Sequence, residues 1–159
     1  FILVGLGVMR DEDAVKAMSR SGDAREILHG PVYYGIVFTA LTVLFWLEPP
    51  TGVIALSLLC AGDGAAEIVG RKFGRAALPW NRTKSWAGSA AFLIAGFALT
   101  TGLLVIFGAF GAFSLDFSAF LLPVFIITAV CALIESVTPH DLDNLSVPAA
   151  AVLLSFLLF

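Results

Sequence analysis

Apolar runs long enough to cross a lipid bilayer, parted by short charged stretches, limit what this chain can fold into. A hydrocarbon core of ~30 Å takes about 20 helical residues, and full or partial runs of that kind occupy residues 31–48, 51–69, 85–108, 118–138 and 145–159. Residues 1–9 (FILVGLGVM) are too short to cross. They lack the basic start and small-residue cleavage site of a signal peptide, so they read as the tail of a span that begins before Phe1. Composition agrees: 59% of the residues are hydrophobic and 13% charged, with a mean hydropathy of +0.97, whereas a soluble domain carries about 25% charged residues. The expected fold is an all-α, polytopic transmembrane helix bundle of five to six spans, forming a single domain over residues 1–159 with its N-terminal spans missing. A net charge of -3 leaves no surplus of Lys and Arg for a polyanion, which excludes nucleic acid as the main partner. Cys60 and Cys131 sit inside apolar runs and read as small hydrophobes, with no disulfide and no metal cage between them.

All nine basic residues fall in two stretches, 10–30 and 70–84. Two spans separate these stretches, and an even number of crossings returns the chain to the same side. The positive-inside rule makes that side cytoplasmic or its organellar equivalent. Two further crossings bring residues 139–144 (PHDLDN) back to it, so the polar clusters collect on one membrane surface.

Asp63 and Glu67 lie near the end of an apolar run in CAGDGAAEIVGRKFG, and their spacing of four puts both carboxylates on one helix face, suited to a divalent cation. Acidic groups in a span are costly, about 2.5 to 3.5 kcal/mol at a helix centre, and usually point into a protein cavity. Gly62, Gly64 and Gly70 leave room for another backbone or a phosphate to approach. The plainer alternative is a small-residue helix contact with the carboxylates reaching water and Glu67 paired with Arg71. RKFGRAALPWNRTKSWAGSAA puts five basic residues beside those acids, with Thr83 or Ser85 where the next helix should start. A helix N-terminus beside Arg82 and Lys84 favours a phosphate, and Gly88 and Ser89 would keep the entrance open; a capped positive-inside loop is the alternative. No Walker A motif is present. Glu135, Asp141, Asp143 and Asn144 supply further oxygen ligands at the same surface, the set that magnesium-assisted phosphoryl transfer requires. Asp143-Asn144 would otherwise serve as a helix N-cap. His140 reads as a proton acceptor or as merely solvated, His29 is weaker still, and no Cys and His spacing suggests zinc.

In this order the residues resemble a known family, the membrane-embedded polyprenol kinases, and within it the phytol and farnesol kinases, related to dolichol kinase and to CTP-dependent cytidylyltransferases. The resemblance runs from about Arg10 to Phe159. It rests on Glu26, Leu28, Gly30-Pro31 and Tyr34, on Gly62-Asp63-Gly64 with Gly70-Arg71-Lys72-Phe73-Gly74, and on Pro79, Asn81 and Lys84-Ser85-Trp86-Ala87-Gly88-Ser89. Glu135-Ser136 and Asp143-Asn144-Leu145-Ser146-Val147-Pro148 complete it. Two positions depart from the pattern: Glu67, where the family often has Asp, and Leu142, where it has a second Asp.

The resemblance implies transfer of the γ-phosphoryl group from CTP or another nucleoside triphosphate to an isoprenoid alcohol. Phytol is first in line, then farnesol or geranylgeraniol, in salvage towards tocopherol. The expected sites are catalytic Asp63, Glu135 and Asp143; nucleotide-binding Arg71, Lys72, Asn81, Arg82, Lys84, Ser85, Gly88 and Asn144; and a Mg2+ site at Asp63 and Glu67. The implied setting is a chloroplast membrane in a plant or alga, or a cell or thylakoid membrane in a bacterium, with the basic loops cytoplasmic or stromal. A CTP-dependent phospholipid cytidylyltransferase and an ion or solute carrier are the competing readings.

Overall fold

The computed structural model describes residues 2–19, 22–45, 50–112, 116–139 and 142–159. Among these, helices are the regular elements, with one isolated bridge between Ala77 and Ser85. In chain order they are α1 (Ile2–Gly5), α2 (Glu12–Met18), α3 (Glu26–Phe45), α4 (Thr51–Ser57), a π-helical segment (Leu58–Asp63), α5 (Gly64–Phe73), α6 (Trp86–Ala109), α7 (Phe117–Val137) and α8 (Asp143–Leu158). The all-α membrane bundle expected from the apolar runs is present. Three helices are long and apolar enough to cross a membrane, Thr51–Phe73, Trp86–Ala109 and Ala119–Val137, and two shorter apolar helices, Gly30–Phe45 and Asp143–Leu158, accompany them. These helices carry apolar side chains on their outer faces as well, Ile94 on α6, Leu122 on α7 and Leu153 on α8 among them. That all-round apolarity is the mark of helices bathed in lipid.

Several boundaries differ from the sequence expectation. α3 starts at Glu26, so Pro31 lies inside it instead of opening a span, and costs the bond its missing N–H would have made to the Ile27 carbonyl. The third span does not stop near residue 69. It continues through Arg71 and Lys72 to Phe73 and ends where Gly74 sends its N–H back to Gly70, so both cations belong to a helix end, where the macrodipole favours them. α8 begins at Asp143 with Leu142 as its N-cap and no side-chain cap, so Asp143 and Asn144 belong to the helix itself. The turn at Glu48-Pro49, together with Arg20, His140 and Asp141, lies outside the described residues, as do the side chains of Glu26 and His29.

The core is shared by the elements that carry the polar end of the bundle: Leu58, Phe92, Leu104, Val124, Ile127, Cys131 and Val147 are buried together. Two glycine contacts bring α6 close to the neighbouring span. A Cβ on Gly88 would stand 3.0 Å from the Ala66 carbonyl oxygen and 3.5 Å from the Gly70 Cα; one on Gly96 would meet Leu58 at 2.9 Å and the Gly62 Cα at 3.5 Å. Small residues allow such backbone approach in lipid. Gly64 differs, because nothing lies within 4 Å of its added Cβ.

Replacing Gly88 with Val should therefore destabilise the protein by about 1–3 kcal/mol, the usual cost of overpacking. Gly64→Ala should leave stability unchanged or slightly raised, since Ala is the better helix former. Thermal unfolding in detergent checks both.

Candidate functional site at the polar end of the bundle

The loop between α5 and α6 is folded tightly enough to aim one of its lysines inwards. Leu78 is buried, its N–H bonds the Lys84 carbonyl at 3.0 Å, and the Trp86 N–H bonds the Ala76 carbonyl at 3.2 Å. Trp80 sits edge-on to Trp86, with ring centroids 5.5 Å apart, and its Nε1 donates to Ser136 Oγ at 3.4 Å. This clamps the loop against the end of α7. Asn81 serves the same clamp: its Nδ2 donates to the Thr138 carbonyl at 3.3 Å and its Oδ1 accepts from Thr83.

Held in this way, Lys84 Nζ donates to Glu135 Oε1 and to Asp143 Oδ2, each at 2.6 Å. All three side chains are at least nine-tenths buried, 8% exposed for the lysine, 2% for Glu135 and 4% for Asp143. Asp143 stands in the first turn of α8, where the helix dipole favours it, while Glu135 stands near the C-terminal end of α7, where the dipole opposes it. The lysine is the compensating charge. Burial alone would lower the Lys84 ammonium, but the hydrogen bonds and charges of Asp143 and Glu135 outweigh it and hold it above the ordinary lysine value.

Asp63 completes the group. It closes the π-helical segment, and one carboxylate oxygen from each of Asp63, Glu135 and Asp143 lies within 4.8 Å of the others. Like charges about 4 Å apart repel by about 4 kcal/mol at an effective dielectric of about 20, and a single ammonium offsets only part of that. Two acceptor groups here are uncommitted: no hydrogen bond or ion pair joins the Asp63 carboxylate to another described residue, and Asn144 Oδ1 is buried with no hydrogen-bond partner among the described residues. Three carboxylates and an orphaned amide oxygen, with no sulfur or imidazole among them, are the hard donors that suit Mg2+. The residues fit that ion.

The group opens onto a cavity of about 900 Å³. Glu67, Arg71, Arg82, Ser85 and Gly88 also face it, while Lys72 and Asn81 do not. Lys72 lies over the Phe73 ring at 5.5 Å. Glu67 pairs with Arg71 at 2.8 Å and stands outside the close carboxylate group, so the pairing of Asp63 with Glu67 is not the tightest one present. The start of α6 is less open to an anion than its sequence suggests: Ser85 Oγ accepts from the Gly88 N–H at 3.2 Å and the Trp86 N–H is already bonded. Three features escaped the sequence. The π-helical segment that presents Asp63 has no clear signature beyond its glycine. Ser89 donates to Glu135 Oε2 at 3.4 Å instead of merely leaving space. On the cavity wall, Tyr34 donates to Cys60 Sγ at 3.0 Å.

Comparison with known proteins gives this end of the bundle its context. Over 99% of its length the chain is 46% identical to a protein of Oryza sativa subsp. japonica named probable phytol kinase 2, chloroplastic. It is 42% identical to the farnesol kinase, chloroplastic, of Arabidopsis thaliana and 37% identical to that plant's phytol kinase 1, chloroplastic, again over 99% of the chain. By sequence the chain is a relative of the phytol and farnesol kinases. It spans about half the length of these relatives, 52%, 52% and 53% respectively. No protein-family model matches it, and no solved structure does.

Lys84→Met should cost roughly 3–5 kcal/mol, the effect of stranding buried charges, while Lys72→Met should stay within about 0.5 kcal/mol. The raised Lys84 value sets the sign of the pH effect. The ion pair's contribution is complete below the ordinary lysine value of 10.5 and fades as pH rises through the higher folded one. Unfolding of wild type and Lys84→Met compared from neutral to strongly alkaline pH should show a constant difference that shrinks only at the alkaline end.

Proposed function

We propose that this chain carries the phosphoryl-transfer site of a membrane kinase that phosphorylates an isoprenoid alcohol, phytol first, with CTP or another nucleoside triphosphate. The observation that supports it most is the meeting of Asp63, Glu135 and Asp143, from three helical segments, with Lys84 beside a cavity also lined by Arg71 and Arg82. The similarity to phytol and farnesol kinases supports an isoprenoid alcohol as the acceptor.

Mg2+ would be held by Asp63, Glu135 and Asp143, with Asn144 lining the same cavity, and when bound it would supply neutralisation of the triphosphate's charge. The chain's own residues do the rest. Arg71 and Arg82 attract and orient the phosphates, Ser85 and Gly88 shape the floor, and Gly64 leaves the wall beside Asp63 free of bulk. The alcohol reaches the site from the bilayer, its tail kept among apolar helices and its hydroxyl brought to the carboxylates, one of which takes the proton. Positioning and charge compensation dominate such transfers. In this reading the polar end faces the cytoplasm or the stroma, in a chloroplast membrane if the source is a plant, and the product enters tocopherol salvage. A carrier would spread its carboxylates through the depth of the membrane; the close grouping favours an enzyme.

Membranes containing the full-length protein, given labelled CTP with phytol, geranylgeraniol and farnesol, should form prenyl monophosphate. Asp63→Asn should lower that rate by about a hundredfold or more, in line with several kcal/mol of lost transition-state stabilisation. Release of pyrophosphate in place of a prenyl phosphate would establish the cytidylyltransferase reading instead.

A further inference from the structure

We infer that Lys84 is the site's resident cation, occupying the position of the divalent ion until that ion displaces it and frees its ammonium for the phosphates. The inference rests on the reading that the three carboxylates hold a divalent ion, and it concerns how that site is loaded. The free oxygens decide the matter. Glu135 Oε2 is engaged by the Ser89 hydroxyl, and Asp143 Oδ1 accepts from the Asn144 N–H at 3.0 Å. The other oxygen of each carboxylate is the one that Lys84 holds. The ammonium stands 2.6 Å from an oxygen of each acid, so an ion drawn to Glu135, Asp143 and Asp63 would compete with it for the same space and the same lone pairs. The two uncommitted acceptors, the Asp63 carboxylate and the buried Asn144 Oδ1, offer the ammonium no hydrogen bond within the described structure. They are groups left over by a monovalent donor and usable by an ion that takes six oxygen ligands.

The displaced side chain has somewhere to go. Lys84 ends the loop ahead of α6 and lines the same cavity as Arg71 and Arg82, so a swing of its flexible stem carries the ammonium from carboxylate to phosphate. Metal entry and nucleotide grip are thereby coupled. Without the ion, Lys84 is spent on its carboxylates and a bare triphosphate meets uncompensated acidic groups; with the ion, one more cation faces the phosphates. Lys84 acts in this scheme as a phosphate-binding residue.

Amine labelling of the full-length protein in detergent, read by peptide mass spectrometry, tests this directly. Lys72, exposed and off the cavity, is the internal reference. Without divalent ion Lys84 should be protected. Saturating Mn2+ or Mg2+ alone should raise its labelling several-fold relative to Lys72, addition of CTP should lower it again, and Asp63→Asn should abolish the metal response. Lys84 labelling that stays flat or falls when electron paramagnetic resonance shows Mn2+ bound would overturn the inference, and so would failure to bind Mn2+ at all. Metal-dependent unmasking of Lys84 in a protein that makes no prenyl phosphate would remove the alcohol-kinase reading and leave this inference standing.

Discussion

One buried ammonium holds the polar end of this bundle together. Glu135 comes from the end of α7, Asp143 from the start of α8, and Lys84 from the loop ahead of α6. None of these segments has a local reason to place a charge out of water. Desolvating a carboxylate or an ammonium costs several kcal/mol, repaid only by close opposite charge and satisfied hydrogen bonds. The two 2.6 Å contacts from Lys84 meet that condition for two acids and leave the third, Asp63, without a direct cation. The imbalance is what makes the site chemically interesting: a cluster that its own chain neutralises only in part is prepared for a cation of higher charge.

Packing delivers those charges to one place. The glycines at 62 and 70 meet those at 88 and 96 across the contact with α6, bringing Asp63 alongside the start of that helix. The π-helical turns from Leu58 to Asp63, with wider i to i+5 bonding, shift the register of the span at the point where its carboxylate emerges, a placement common at functional sites. Above them the loop from Gly74 to Ser85 is pinned by Leu78, Trp80 and Asn81. Residues that read as nucleotide contacts in the sequence, Asn81 and Lys72 among them, support the loop or cover a helix end instead of facing the cavity.

The spans were legible in the sequence because lipid makes apolarity continuous: α6 and α7 lie within a residue of the apolar runs that foretold them. Boundaries failed where a local rule was overridden. Pro31 is a fair helix opener, yet α3 absorbs it; Arg71 and Lys72 look like loop residues, yet a helix end welcomes cations. Within the site, the spacing of Asp63 and Glu67 was readable because four residues make one helical turn. The contacts of Lys84 with residues 51 and 59 positions away leave no periodic trace, and only the parity of the crossings placed them on one surface. The orphaned oxygen of Asn144 belongs to three-dimensional accounting and had no sequence signal.

The account depends on Lys84 and Glu135 being partners in the folded protein, and a double-mutant cycle with Lys84→Met and Glu135→Gln measures that partnership. Unfolding free energies of the four proteins should yield a coupling of about 1–3 kcal/mol, with the double variant more stable than the sum of the single losses allows. Additivity within about 0.5 kcal/mol would mean that the two charges do not meet, and the convergent site would be contradicted.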